Sequence, residues 1–281
     1  MKTKSLREYD RLADRIRQHR QVDKSPVIIT EGPSDVRLLS NAFRQKWQYF
    51  PASTRSIALD AAKTLHEWRF ARWACVVDRD FDDEVAGLER LGIPLHPYEN
   101  ADLEAMLSVT DAYTNFLSEF ASAEKLEKWG GASAVMRAVH DAVAPITILR
   151  RANVENSWGL KFDDIDLSSK IDNRNLKLKV QPYCDALSGT VGNSPNQATL
   201  LEYANGSREL VQEPICPRGS TPYFRGKDFL CITGVALRSA IGSHKKEVTA
   251  ADYLSRSLRL AGSGVIADSS WGRELIENLS R

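Results

Sequence analysis

Residues 73–83 constrain the fold more than any other part of this chain. The segment begins with a short apolar run, Trp-Ala-Cys-Val-Val, and changes abruptly into Asp-Arg-Asp-Phe-Asp-Asp, in which five of six residues are charged. So short an apolar run is typical of a strand buried on both faces, because a helix would need about ten residues or more. The segment therefore predicts a buried strand whose carboxyl end carries acidic side chains.

The acidic residues after this strand have the spacing of a metal site. Side chains alternate along a strand, so Asp78 and Asp80 would point the same way if the backbone stays extended over these residues. Two carboxylates this close repel each other, and a hard divalent cation with oxygen ligands relieves the repulsion. We therefore expect Mg²⁺ or Mn²⁺ here, with Asp82 as a further candidate ligand.

Two other interpretations of the segment stay open. The first is an acidic turn that simply keeps the strand end hydrated. The second is an EF-hand calcium loop, whose first, third, fifth and twelfth places would be Asp78, Asp80, Asp82 and Glu89. Against calcium, the sixth place needs glycine and holds Asp83, and a strand is predicted where an EF-hand has a helix.

A second predicted strand also ends in a carboxylate. Val27–Thr30 is apolar, Glu31 follows it directly, and a Gly-Pro pair then forces a turn. Asp35, or the serine before it, can cap a helix over about residues 35–47. Asp35 either folds back toward the same site as Glu31 or serves only as a favourable charge at the helix N-terminus.

The next segments continue the alternation of strands and helices. A strand is predicted near residues 49–57 and a helix near residues 58–68. After the buried strand that starts at residue 73, a second helix is predicted near residues 84–90 and an edge strand near residues 93–96. Such alternation predicts a parallel sheet, in which sites form at the carboxyl ends of strands. If their two strands are neighbours, Glu31 and Asp78 lie within a few ångströms of each other.

The rest of the chain is predicted to be mainly helical. A basic amphipathic helix is expected within residues 1–24, before the sheet, and helical patterns dominate beyond residue 110. Asp102 and Glu104 begin one helix, where they either line the rim of the site or serve the helix dipole. Residues 181–222 are rich in Pro, Gly, Ser and Asn and are predicted to form a long connector.

The composition narrows the function classes. The 281 residues include 38 Lys and Arg and 37 Asp and Glu, so a net charge of +1 gives no global attraction to nucleic acid or membrane. The cysteines and histidines have no zinc-site spacing, and no stretch of about 20 apolar residues suggests a membrane span. A cytoplasmic protein without membrane attachment is the expectation.

A basic and aromatic turn stands out late in the chain. The sequence Pro-Tyr-Phe-Arg-Gly-Lys-Asp includes Arg225 and Lys227 and precedes a predicted helix over residues 230–241, after which Lys245 and Lys246 follow. Cations interleaved with aromatic rings suit phosphate binding and base stacking, although such a turn can equally be ordinary surface. These four cations are our candidate nucleic-acid contacts.

The combined pattern resembles the TOPRIM domain shared by topoisomerases, primases and the OLD (overcoming lysogenization defect) family nucleases. The resemblance rests on Glu31-Gly-Pro-Ser-Asp35 after one strand and Asp78-Arg-Asp80 after another, and it covers residues 25–110. It implies an α/β fold, a Rossmann-like parallel sheet flanked by helices, with a mainly helical region over residues 111–281. The E-G-x-x-D form and the later Gly-Lys-Asp turn are most similar to the stand-alone TOPRIM effectors of phage defence in the PARIS (phage anti-restriction-induced) system.

The resemblance implies a role for each matching residue. Glu31, Asp78 and Asp80 would hold the divalent metal, and Glu31 would also serve as a general acid or base. Asp35 matches the acid that OLD-type nucleases use toward a second metal. Lys227 would lie beside the scissile phosphate. Together these residues imply a metal-dependent phosphodiester hydrolase.

The resemblance also implies partners. The chain has no phosphate-binding P-loop motif, so the ATPase that accompanies such nucleases would be a separate ABC-class sensor chain that restrains the effector. It implies tRNA as the substrate class and a homodimer as the active form. Two alternatives stay open: an OLD-like nuclease that cleaves DNA, and a non-catalytic TOPRIM binding module.

Overall fold

The computed structural model describes residues 11–214 and 222–280, and they form two compact units. Unit 1 consists of the described residues of three segments, Met1–Arg79, Asp83–Tyr98 and Ser263–Arg281. Unit 2 consists of Asp80–Asp82 and the described residues of Glu99–Gly262. The predicted division at residue 110 does not coincide with this partition.

Unit 1 is built on a three-stranded parallel sheet in the order β2-β1-β3. The strands are β1 (Val27–Thr30), β2 (Gln48–Pro51) and β3 (Trp73–Val76). In the register, Thr30 at the end of β1 is paired with the last residues of both neighbours, Pro51 and Val76. The predicted parallel sheet is confirmed, and its central strand is the one that precedes Glu31.

Helices cover the sheet of unit 1. They are α1 (Leu12–Val22), α2 (Pro33–Ala42), α3 (Arg55–Glu67), α4 (Glu84–Arg90) and, at the end of the chain, α13 (Ser270–Ser280). Apolar side chains of α1 and α3 meet the strands in one buried cluster that includes Ile16, Leu59 and Cys75. The α/β class with helices around a parallel sheet is therefore confirmed.

Most predicted boundaries in unit 1 lie close to the observed ones. Helix α3 starts at Arg55 because the Thr54 hydroxyl accepts a hydrogen bond from the Ile57 amide, at 3.3 Å, which ends the predicted strand early. Gly92 has φ +74° and ends α4 as expected. The predicted edge strand is reduced to one parallel bridge between Leu95 and Cys75.

The N-terminal helix is confirmed only where it is described. Helix α1 ends at Val22, close to the predicted end, and its buried face carries Leu12, Ala13 and Ile16. The proposed capping box over residues 5–8 lies outside the described residues.

Unit 2 is helical throughout its described part, apart from turns and one antiparallel bridge. Its α-helices are α5 (Leu103–Ser108), α6 (Asp111–Phe120), α7 (Ala123–Lys128), α8 (Ala132–Glu155), α9 (Val180–Ser188), α10 (Gln197–Ala204), α11 (Gly226–Val235) and the main part of α12 (Ala251–Asp268). Short 3₁₀ helices and a π-helical turn, Ala236–Ala240, connect them. The predicted helix over residues 230–241 thus begins earlier, at Gly226.

The predicted connector over residues 181–222 is wrong where two helices form and agrees with the structure at 189–196 and 205–214. Helices α9 and α10 occupy part of it and pack against each other. Tyr183, Leu187 and Leu200 of these helices are buried, so apolar burial overrides the Pro and Gly content of the segment. Residues 215–221 of the predicted connector lie outside the described part.

Helix α8 is the one described helix whose length and composition would suit a membrane span, with a mean hydropathy of 1.2 over its most apolar window. Its sequence contains Pro145, and its buried face includes Val139, Ile146 and Leu149. This face packs against α10 and α11, as in the core helix of a helical domain. Core helices of this kind pass the same length and composition test.

Candidate metal centre and basic turn

Glu31 and Asp78 meet at the carboxyl end of the sheet in unit 1. They follow the neighbouring parallel strands β1 and β3, and the Asp78 amide donates a hydrogen bond to Glu31 Oε1 at 2.8 Å. The two residues are 47 positions apart in the chain. The expectation that these two strand ends lie side by side is therefore confirmed.

The Glu31 carboxylate is partly withdrawn from water. Glu31 and Asp78 are both half-buried, next to a fully buried β3. Burial, and then the nearby charge of Glu31, raise the pKa of the Cys75 thiol far above its usual range. A carboxylate in such a setting interacts strongly with any cation that reaches it.

Both carboxylate oxygens of Asp35 accept hydrogen bonds at the start of α2. Its Oδ2 accepts a hydrogen bond from the Gly32 amide at 3.0 Å, and its Oδ1 accepts one from the Tyr98 hydroxyl at 3.0 Å. The first contact is that of a helix cap, in line with the interpretation of Asp35 as an N-terminal charge. Of the two acids of the E-G-x-x-D motif, Glu31 lies in the short turn after β1 and Asp35 in the first turn of α2.

Arg79, between the two aspartates of the D-x-D motif, is buried within unit 1. Its Nε donates to the Tyr98 carbonyl at 2.8 Å and its Nη1 pairs with Glu89 at 3.1 Å. Sequence reasoning gave Arg79 no role and Glu89 a place in a calcium loop. The calcium loop is wrong, since β3 precedes the loop where an EF-hand requires a helix.

Asp80, Phe81 and Asp82 belong to unit 2, where backbone groups of Asp80 and Phe81 form hydrogen bonds with residues distant in the sequence. The Asp80 amide donates to the Ala101 carbonyl at 3.0 Å, and the Tyr223 hydroxyl donates to the Asp80 carbonyl. The Phe81 carbonyl accepts from Arg151 at 2.7 Å. None of these anchors was identified from the sequence.

The backbone at Asp80 is left-handed. Its φ is +53°, so the backbone does not stay extended from Asp78 through Asp80, which was the condition for their side chains to point the same way. Aspartate tolerates this region better than most residues, and such backbone geometry is frequent at functional sites. The chain itself keeps the Cα atoms of Asp78 and Asp80 within about 7 Å.

An open pocket of about 530 Å³ lies in unit 2 beside this loop. Asp80 and Asp82 line it together with three cationic side chains, Arg150, Lys161 and Arg225. Asp163 and Asp164 also line it, so four acids and three cations share one open pocket. Such a mixture can hold a cation through the acids and an anionic oxygen through the cations.

The basic turn carries two ion-pair systems. Arg225 donates two hydrogen bonds to the Asp163 carboxylate, at 2.6 and 3.2 Å, and Lys227 Nζ lies 3.9 Å from the same carboxylate. Asp228 receives two from Arg150, at 2.6 and 2.9 Å. Two of the predicted phosphate contacts, Arg225 and Lys227, are thus held by an acid of the same unit.

Buried acceptors far away in sequence fix the turn. Both Asp102 oxygens accept from the Gly226 amide, at 2.9 and 3.1 Å, and Oδ1 also caps α5 through the Ala105 amide at 2.8 Å. Burial, and then the charge of Glu104, raise the pKa of Asp102 to about 7. Asp102 is thus a helix cap, and it also positions the turn.

Asn100 and Glu104 complete the support of this region. Asn100 is fully buried, accepts from the Phe224 amide at 3.0 Å and donates to the Pro222 carbonyl at 2.9 Å. Glu104 pairs with Arg259 at 2.5 Å. The sequence placed Asp102 and Glu104 at a possible metal rim or helix dipole but gave no sign of these contacts.

The remaining candidate cations, Lys245 and Lys246, are exposed and follow the π-helical turn. In the part of the chain that the structure describes, no group of three or more His, Cys, Asp or Glu side chains is clustered for a metal ion. The oxygen donors of Glu31 and Asp78 are nonetheless the type that Mg²⁺ and Mn²⁺ prefer.

Comparisons with known proteins give no relatives. No protein-family model matches the chain, and no curated protein or solved structure is significantly similar to it.

Proposed function

We propose that the chain is a metal-dependent TOPRIM nuclease, similar to AriB, the effector of the PARIS defence system. The observation that carries the proposal is the hydrogen bond of 2.8 Å from the Asp78 amide to the Glu31 carboxylate, at the ends of two adjacent parallel strands. The E-G-x-x-D and D-x-D motifs of the resemblance begin at these two residues. The pairing supports the proposal because functional sites in open parallel α/β sheets form at the carboxyl ends of the strands.

The side chains of the site would have distinct tasks. Glu31 and Asp78 would hold Mg²⁺ or Mn²⁺, and Asp80 is close enough along the chain to contribute. The bound metal supplies activation of the attacking water and neutralisation of charge on the phosphoryl oxygens. The Asp78 amide orients the Glu31 carboxylate, which the resemblance also makes the general acid or base.

The substrate and the partners follow from the resemblance. We propose tRNA as the substrate, a separate ABC-class ATPase as the partner that restrains the nuclease, a homodimer as the active form and the cytoplasm as its location. The pocket that contains Asp80, Asp82 and Lys161 supports a substrate with phosphate groups, since it presents both acids and cations to solvent. Lys227, exposed near Asp163, is available to a phosphate that competes with that carboxylate.

Cleavage assays test the proposal. The purified chain is incubated with total tRNA and with plasmid DNA in Mg²⁺, Mn²⁺ or EDTA, beside the variants Glu31→Gln and Glu67→Gln. Glu67 lies at the exposed end of α3 and is the matched control. We expect metal-dependent tRNA fragments from the wild type and Glu67→Gln, and a loss of about a hundredfold or more in Glu31→Gln.

The same assays separate the alternatives. Plasmid nicking without tRNA cleavage would make the chain an OLD-like DNA nuclease. Equal cleavage by Glu31→Gln and the wild type would refute the assigned site. Absence of cleavage, even with the ATPase partner added, would favour a binding module.

A further inference from the structure

A basic hairpin in unit 2 provides a surface that neither motif uses. Residues 170–179 contain four cations, Lys170, Arg174, Lys177 and Lys179, and one acid, Asp172. The segment therefore has a net charge of +3, three times that of the whole chain. Such a local excess needs an explanation in a protein that is otherwise almost neutral.

The strand pairing of the hairpin places like charges opposite each other. Ile171 and Leu178 form an antiparallel bridge, and the Lys179 amide donates to the Lys170 carbonyl at 2.8 Å. Lys170 and Lys179 are thus a directly opposed pair, and Lys177 shares their face by the alternation of side chains. Ile171 is buried on the other face.

Opposed like charges on paired strands destabilise a hairpin, so they indicate a surface selected for something other than stability. The hairpin acid does not relieve the repulsion fully, since the Asp172 carboxylate accepts hydrogen bonds from the Arg174 and Asn175 amides, at 2.8 and 3.1 Å. Arg174, Lys177 and Lys179 are exposed. A polyanion would remove the repulsion by supplying several negative charges at once.

Two further cations extend the surface. The Ser239 hydroxyl donates to the Asn173 carbonyl at 3.1 Å, which ties the hairpin to the π-helical turn that precedes Lys245 and Lys246. The hydrogen bond from the Ser168 hydroxyl, and to a lesser extent the charge of Lys246, lower the pKa of Asp166, just before the 3₁₀ helix that ends at Lys170. Hairpin and lysine pair therefore belong to one side of unit 2.

These cations differ from those of the basic turn in their ion pairs. Within the described residues, no acidic side chain lies within 4.0 Å of the charged groups of this set, which is Lys170, Arg174, Lys177, Lys179, Lys245 and Lys246. Arg225, in contrast, is bound by Asp163 at 2.6 Å. An anion that binds these cations therefore has no ion pair of this kind to break among the described residues.

We propose that these six cations form a surface that binds the phosphate backbone of RNA. The proposal rests on the proposed function for its choice of RNA, and it locates the main substrate contact away from the basic turn. The binding is electrostatic and spread over several phosphates, because lysines on a two-stranded hairpin offer point charges and no groove for base recognition.

Binding measured without cleavage tests this proposal. Fluorescence anisotropy of a labelled tRNA transcript is recorded in EDTA over a range of NaCl concentrations, for the wild type, Lys177→Glu/Lys179→Glu and Arg44→Glu/Lys46→Glu. The control pair is exposed, has the same spacing and lies in unit 1. We expect the hairpin variant to bind the tRNA about tenfold or more weakly, and the magnitude of its slope of log K against log salt concentration to decrease by about 2. The affinity of the control variant should change by less than about twofold.

Four other outcomes would overturn the inference. The proposed surface would be contradicted by a hairpin variant with unchanged affinity, by a wild type that does not bind tRNA, or by equal losses of affinity in both variants. Loss of binding to phosphatidylserine vesicles with RNA affinity intact would assign the hairpin to anionic lipid instead. Because EDTA abolishes cleavage, RNA binding without later Mg²⁺-dependent cleavage would refute the nuclease and leave the RNA surface standing.

Discussion

The two candidate regions of this protein are positioned by different means. At the sheet edge, Glu31 and Asp78 come together because the strands before them pair in parallel register. At the basic turn, Gly226 is held by the side chain of Asp102, 124 positions away in sequence. A site at strand ends can therefore be predicted from local patterns, whereas a turn held by distant side chains cannot.

The largest effect on the second region should come from Gly226→Ala. A Cβ at this position would lie 2.4 Å from Glu104 Cβ and 2.6 Å from the Ala105 amide nitrogen, too close for either atom to accommodate it. We expect a loss of about 2–3 kcal/mol in the free energy of unfolding, measured by urea denaturation. Gly192→Ala, which has no atom within 4 Å of its added Cβ, is the control and should change stability by less than about 0.5 kcal/mol.

An unchanged stability in Gly226→Ala would mean that the turn is not locked to α5 as described. The comparison between the two regions would then lose its basis, since the turn would be as independent of distant residues as an ordinary surface loop.

A second, pH-dependent effect should come from Asp102. Its pKa is about 7 in the folded chain and 3.8 ordinarily, so the folded protein keeps a proton that the unfolded chain releases between these values. The resulting stabilisation is complete below about pH 4 and is lost as the pH rises to about 7. We expect Asp102→Asn, which cannot ionise, to flatten this part of the curve of unfolding free energy against pH.

The control for this measurement is Asp111→Asn, at an exposed position at the start of α6. It should retain the wild-type slope between pH 4 and 7. If Asp102→Asn also retained that slope, the shifted titration of this carboxyl would be contradicted.

Much of unit 1 could be predicted from the sequence, and most of unit 2 could not. Short apolar runs followed by acids identified β1 and β3 because burial on both faces leaves a distinct pattern. The same reasoning missed α9 and α10, whose buried residues Tyr183 and Leu200 acquire meaning only through their mutual packing. It also gave no sign that α13 packs on β3, a contact made by the end of the chain.

Within the candidate metal site, too, some residue positions could be predicted from the sequence and others could not. The meeting of Glu31 and Asp78 followed from strand order, but the left-handed backbone at Asp80 did not, because it depends on hydrogen bonds to Ala101 and Tyr223. These partners lie 21 or more positions away and carry no local signal. Pairing of strands is a repeated, regular interaction, whereas such anchors are individual ones.

The most direct test of the central claim is a titration of Mn²⁺ into the metal-free protein by isothermal calorimetry. The wild type and Glu67→Gln should bind Mn²⁺ alike, while Glu31→Gln and Asp78→Asn should each weaken the Kd by about tenfold or more, since each loses an anionic oxygen ligand. The Asp78 substitution leaves the amide that orients Glu31 in place. Equal Mn²⁺ affinity in all four proteins, or no binding by the wild type, would contradict a metal centre at this sheet edge.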